Sequence, residues 1–144
     1  MSKTVQEKVV KAFTLIELLV VISIIGILAT LVTANLNAAR NRSRDAVRKG
    51  DLKNIQTALR MYYNDKQSYP ATFTFGETFS SGATVYMNTV PHDPLYKASD
   101  EPPTDYDYTY VDSDNFILTA CLENKSDTNC QTVGGCECGY QVKP

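Results

Sequence analysis

A run of 22 residues from Phe13 to Ala34 contains one charged side chain, the carboxylate of Glu17. As a helix rising 1.5 Å per residue, the run would extend over roughly 33 Å, enough to cross a bilayer core of about 30 Å. A carboxylate inside a membrane span is costly and marks a functional position by default. The run therefore predicts a membrane helix in which Glu17 has a specific role.

The border between polar and apolar sequence lies before this run, at Ala12 and Phe13. The run is longer than the apolar segment of an ordinary secretory signal, and no small-residue cleavage site follows it. A peptidase acting at the border would remove residues 1–12 and keep the helix. It would also create an α-amine on Phe13, one helical turn from Glu17. In an assembly, that amine could instead meet Glu17 of a neighbouring subunit.

The ten residues FTLIELLVVI at 13–22 resemble the leader junction and helix start of the type IV pilin and type II secretion pseudopilin family. The resemblance implies cleavage between Ala12 and Phe13 by prepilin peptidase, N-methylation of Phe13, and a role for Glu17 in assembly. It also implies a helical homo-oligomeric filament, an assembly ATPase and an inner-membrane platform. The chain departs from the family in having Ala12 where glycine is usual, and in lacking the usual proline near the end of the apolar run.

The helical pattern continues beyond the apolar run. Between Asn35 and Lys66 there is no proline, and apolar positions recur every three to five residues, at Val47, Asp51/Leu52, Ile55, Leu59 and Tyr62. Pro70 biases Tyr69 away from helical angles, so the helix must end before it. We predict an α+β, pilin-like fold. One helix of roughly 80 Å, transmembrane in its lower half and amphipathic in its upper half, packs on a small antiparallel sheet.

Residues 68–144 are predicted to form a small β-rich head. Three segments read as strands: 84–90, 106–111 with its alternating tyrosines, and 115–122 after a turn at Asp112-Ser113-Asp114. The segment Val90-Pro91-His92-Asp93-Pro94 resembles the Leu-Pro-x-Asp-Pro loop of major pseudopilins. From residue 67 onward the chain has eleven acids and three cations, whereas the helix before it is basic. Opposite charges on one subunit suit contact between stacked copies.

Four cysteines lie in the last quarter of the chain: Cys121, Cys130, Cys136 and Cys138. Exported domains with small cores are often stapled by disulfides. A bridge between Cys136 and Cys138 would be strained, which leaves 121–136 with 130–138, or 121–138 with 130–136. Their spacing lacks the paired knuckles of a structural zinc site, so disulfides are favoured and no metal site is predicted.

No catalytic residues, cofactor or enzyme activity are predicted. His92 is the only histidine, and no nucleophile lies near it in sequence. Calcium is a less favoured alternative: Asp105, Asp107, Asp112 and Asp114 lie in one stretch, but an EF-hand loop begun at Asp112 would have Ile117 where glycine is needed.

A basic patch follows the upper helix: Arg40, Arg42, Arg44, Arg48, Lys49 and Lys53. It lacks the interleaved aromatic residues of a nucleic-acid surface, so DNA contact is not favoured. We expect a solvated face, or ion pairs with neighbouring subunits.

These features together predict a filament subunit with a leader at 1–12, a membrane and assembly helix at 13–34, a stalk helix at 35–67 and a head at 68–144. The expected location is the bacterial inner membrane, with the head outside the cytoplasm and the filament in the periplasm or on the cell surface. Two alternatives remain: a membrane-anchored extracytoplasmic binding domain that forms no filament, and a competence pilin that contacts DNA.

Overall fold

The computed structural model describes residues 13–99, 105–133 and 135–144. Within them lie one helix and six strands: α1 (Leu15–Lys66), β1 (Phe79–Ser81), β2 (Thr84–Met87), β3 (Asp107–Asp112), β4 (Asn115–Cys121), β5 (Gln131–Val133) and β6 (Cys136–Val142). The chain divides into two compact units, one ending at Asn37 and the other running from Ala38 to Pro144. The predicted leader, residues 1–12, lies outside the described residues.

The first unit contains the beginning of α1. Among the described residues, no helix is both long enough and apolar enough to count as a membrane span. The span predicted for residues 13–34 stays a prediction.

The second unit packs the rest of α1 with two antiparallel sheets. The larger sheet has the strand order β3-β4-β6-β5, and β1 pairs with β2 in a separate two-stranded sheet. Tyr108 lies opposite Leu118 in the β3–β4 hairpin, and Ala120 lies opposite Tyr140 between β4 and β6. A helix on an antiparallel sheet is the α+β, pilin-like fold that the sequence predicts, so this prediction is confirmed.

Side chains from the helix, the sheets and the segments that connect them together form one core, whose members are each less than one tenth exposed: Leu52, Ile55, Ala58, Leu59, Tyr69, Phe79, Val90, Tyr106, Phe116, Leu118, Ala120 and Val142. Full burial of one large apolar side chain stabilises a fold by about 1.5–3 kcal/mol. The core therefore fixes the position of the helix on the sheet.

The observed strands follow the predicted ones closely. The strand predicted at 84–90 ends at Met87, while β3 and β4 fall within one residue of the segments at 106–111 and 115–122. The turn predicted at 112–114 joins β3 to β4. The sequence analysis did not identify β1, β5 or β6, which are short or interrupted by cysteine and glycine.

The buried side of α1 differs from the predicted apolar stripe at its lower end. Leu52, Ile55 and Leu59 are buried as expected, but Val47 is 49% exposed. The face continues downward through two charged residues, Asp45 and Arg48, each 3% exposed. The prediction that Val47 belongs to the buried side of the helix was therefore wrong. At this end of the helix, the buried positions are occupied by charged residues, so an apolar pattern does not mark them.

Candidate functional site: the helix start and a buried ion network

The start of α1 is closed by a capping box between Thr14 and Glu17. The Thr14 backbone N–H and hydroxyl donate to Glu17 Oε2 at 2.8 and 2.7 Å. In return, the Glu17 N–H donates to Thr14 Oγ1 at 3.3 Å. Two backbone donors that the helix cannot pair internally are thereby satisfied. Glu17 therefore has a partner within its own chain, which the sequence analysis missed although a threonine three residues before a glutamate signals it.

The rest of the first unit presents large apolar side chains to its surroundings. They are between 48% and 83% exposed: Phe13, Leu15, Ile16, Leu18, Leu19, Val20, Val21, Ile22, Ile24, Ile25, Ile27, Leu28 and Val32. Because they are almost consecutive, they surround the helix. Soluble monomers rarely expose a contiguous apolar patch larger than about 600 Å². Such a surface needs a lipid or protein covering.

The predicted assembly residues lie together on one side of this helix. Phe13, Ile16, Glu17, Val20 and Val21 border an open groove of about 430 Å³. Phe13 is 82% exposed, and it borders the same groove as Glu17. Ala12, the other residue of the predicted cleavage site, lies outside the described residues. The groove combines an apolar surface with one carboxylate.

The four cysteines form two disulfides. Cys121 is bonded to Cys136 and Cys130 to Cys138, with Cα atoms 5.4 and 4.8 Å apart. This is the first of the two connectivities left open by the sequence. The bridges join the end of β4 and the following loop to β6, so they close the segment that carries Glu123 and Asp127.

Arg48 is the centre of a buried ion network between the helix and the head. Its guanidinium contacts Asp45 Oδ1 at 2.7 Å, Asp93 Oδ2 at 2.6 Å and Glu123 Oε1 at 2.8 Å. Burial disfavours its charge, but the hydrogen bonds that it donates to Asp93, Glu123 and Asp45 outweigh burial and raise the pKa of Arg48. One cation thus ties α1 to the 90–94 loop and to the segment after β4.

The other members of the network hold the same segment in place. Asp45 accepts the backbone N–H groups of Glu123 and Asn124 at 3.0 and 2.8 Å. Arg44 donates to both carboxylate oxygens of Glu123, and Lys49 contacts Asp127 Oδ2 at 2.6 Å. The hydrogen bond from Arg44 is the largest cause that lowers the pKa of Glu123 to about 2.

This network corrects the expectation for the basic patch. Arg44, Arg48 and Lys49 were expected to be solvated or to pair with neighbouring subunits, but they pair with acids of their own chain. Pairing within the chain could have been predicted, because a basic helix and an acidic head belong to the same chain. The Asp45-x-x-Arg48 spacing was the one local sign of an ion pair. Sequence reasoning missed it because the acids are 45 to 79 residues away.

The 90–94 loop owes its shape to this network and to His92. The Nδ1 atom of His92 lies 2.5 Å from Asp105 Oδ2, and its ring stacks on Tyr96 with centroids 3.9 Å apart. The carboxylate of Asp93, the next residue, binds Arg48 and not His92. The contacts described for His92 therefore fix a loop. Among the described residues, no group of three His, Cys, Asp or Glu side chains is arranged to hold a metal ion.

Comparison with known proteins identifies related sequences. The family described as "Prokaryotic N-terminal methylation motif" matches residues 8–33, which include the capping box and the groove. The chain is 35% identical over 115 residues to the type IV wide pilus major component PilA4 of Thermus thermophilus, covering 62% of this chain and 88% of that protein. No solved structure matches the chain.

Type II secretion system core proteins G are also similar. The protein from Pseudomonas aeruginosa is 43% identical over 67 residues, which cover 46% of this chain and 47% of that protein. The protein from Escherichia coli is 33% identical over 95 residues, covering 58% and 66%. The chain thus spans about half the length of the Pseudomonas relative. It belongs to the pilin and pseudopilin family.

Proposed function

We propose that this chain is the structural subunit of a filament of the type IV pilus or type II secretion kind. The observation that carries the proposal is the apolar helix in which Phe13 and Glu17 border one groove. A second copy covers such a surface with the same surface of its own. The relatives named as a pilus component and as secretion core proteins support this assignment.

The proposed maturation makes use of the position of Phe13. Prepilin peptidase removes residues 1–12, and Phe13 becomes an N-methylated terminus whose amine is a cation. The apolar helix holds the subunit in the inner membrane, with the head outside the cytoplasm, until a separate ATPase and membrane platform deliver it to the filament. Thr14 keeps its backbone N–H after this cleavage, so the capping box persists in the mature chain.

Glu17 then has two roles that act together. Thr14 occupies Oε2 of its carboxylate, and no hydrogen bond among the described residues uses Oε1. In the filament, the carboxylate accepts the Phe13 ammonium of a neighbouring subunit. A buried charge is tolerated only when it is paired, so a subunit displaced by one helical turn leaves Glu17 without its partner and is disfavoured.

The test is filament yield from cells producing the full chain, with two variants at the helix start. Glu17→Ala removes both the capping box and the proposed contact, whereas Thr14→Ala removes only the cap, worth about 1 kcal/mol. We expect Glu17→Ala to abolish filaments and Thr14→Ala to retain them. Equal loss in both variants would restrict Glu17 to helix capping, and wild-type yield from Glu17→Ala would refute the assembly role.

Two sets of features favour different kinds of filament. The Pro-Asp-Pro loop, held by Asp93 on Arg48, is the feature shared with major pseudopilins. The two disulfides and the longer match to a pilus component favour a pilus. Long fibres on the cell surface, labelled by an antibody to this chain, would identify a pilus. Short periplasmic fibres whose loss stops secretion would identify a pseudopilus.

No cofactor, enzymatic activity or DNA contact forms part of the proposed function. Three cations of the basic patch are occupied by acids of the same chain, which reduces the charge available to a nucleic acid. A gel-shift assay with the full chain in detergent should show no complex at physiological salt. Addition of a calcium chelator should leave the melting temperature unchanged, and a lower value would indicate a bound ion.

A further inference from the structure

Three cations of α1 lie on one face of the helix outside the ion network. Arg42, Lys53 and Arg60 are separated by eleven and seven residues, so at about 100° per residue they point within about 20° of one another. All three are exposed, and none forms an ion pair among the described residues. We name this set the cationic face.

The β3–β4 turn carries carboxylates that likewise form no ion pair within the part of the chain that the structure describes. Asp112 accepts the Asp114 N–H at 2.8 Å and the Asn115 side-chain amide at 2.9 Å, and these hydrogen bonds lower its pKa. Asp114 accepts the Tyr63 hydroxyl at 2.6 Å. The turn is therefore a fixed and exposed pair of acids beside the last turns of α1.

The turn cannot meet the whole cationic face of its own chain. Tyr63, which marks its position along the helix, lies 10 residues above Lys53 and 21 above Arg42, or about 15 and 32 Å at 1.5 Å per residue. Other acids of the head, Asp93, Glu123 and Asp127, are already engaged by Arg44, Arg48 and Lys49. Among the described residues, the lower cationic face and the acidic turn each lack an oppositely charged partner, which a second copy would supply.

We propose that the cationic face of one copy receives the β3–β4 turn of another copy that is displaced along the helix axis. This inference rests on the proposed function and adds to it a head-to-helix contact in the second unit, separate from the contact at Glu17. Complementary charges of this kind set the register and the choice of partner more than the overall affinity. The occupant is a second copy because this chain itself carries both halves of the contact.

Arg40 provides a matched control for the test. It is exposed, like Arg42, and lies two residues away on the same helix, but its side chain points about 160° from that of Arg42 at 100° per residue. Filament yield from sheared cells is measured for the full chain carrying Arg42→Glu or Arg40→Glu. We expect at least about a tenfold loss for Arg42→Glu, because like charges then face each other, and little change for Arg40→Glu.

A second set of variants tests the occupant. Asp112→Arg with Asp114→Arg should also lower the yield, and adding Arg42→Glu to that chain should restore most of it. Failure of this rescue would show that the β3–β4 turn does not occupy the cationic face. The same result is expected if another polyanion occupies that face. Wild-type yield from Arg42→Glu would overturn the surface itself, while the proposed function would stand.

If the unmodified chain forms no filaments, the proposed function itself is refuted. Circular dichroism of each full-length variant in detergent separates a folding defect from an assembly defect. An Arg42→Glu chain that melts with the wild type and still loses filaments supports the contact.

Discussion

Arg48→Met tests the ion network most sharply, because the change removes one cation from three carboxylates. Asp45 keeps its two backbone donors and Glu123 keeps Arg44, but Asp93 loses both of its contacts with the guanidinium. Breaking a buried ion pair by removing one partner costs about 3–5 kcal/mol. Because Arg48 is 3% exposed and its site excludes most water, we expect a loss of that size in the free energy of unfolding.

The assay is urea unfolding of the full oxidised chain in detergent at pH 7, followed by circular dichroism. Arg42→Met is the control, since an exposed residue outside the network should change stability by less than about 0.5 kcal/mol. The double variant Arg48→Met/Asp93→Asn should recover part of the loss, because it neutralises the carboxylate left unpaired. Equal stability of Arg48→Met and Arg42→Met would refute the reasoning.

Three further outcomes follow from the described contacts. The folded-state pKa of Glu123 is about 2, below its ordinary 4.5, so its contribution to folding stability is present above pH 4.5 and is lost as the pH falls toward 2. Glu123→Gln should therefore reduce the fall in melting temperature at acid pH. Alkylation of the native chain should find no free thiol, with one bridge from Cys121 to Cys136 on peptide mapping, and four labelled cysteines would contradict it. Thr14→Ala removes the helix cap and should destabilise the start of α1 by about 1 kcal/mol. Faster amide exchange in the first turn of the helix would show this loss.

The local parts of the fold were accessible from the sequence. The helix end, the hairpin turn and the strand alternation depend on neighbouring residues. The helix α1 ends at Lys66, before Pro70, as predicted. Gln67 then adopts a positive φ of 56°, which turns the chain out of the helix. These features need no knowledge of distant contacts.

The ion network was not accessible in the same way. Exposed and buried arginines look alike in a helical sequence, and only the folded chain shows that Arg48 faces Asp93 while Arg42 faces outward. The cysteine pairing was reduced to two alternatives by geometry, but the choice depends on how β4 and β6 align. Short strands such as β5 carry too few residues for an alternating pattern to stand out.

The central claim is that Glu17 of each subunit pairs with a processed terminus of a neighbour in a filament. The most direct measurement is the intact mass and N-terminal sequence of the chain in purified sheared filaments. The account predicts a chain that begins at N-methylated Phe13 and lacks residues 1–12. A native chain that begins at Met1 and remains monomeric in the membrane would contradict it.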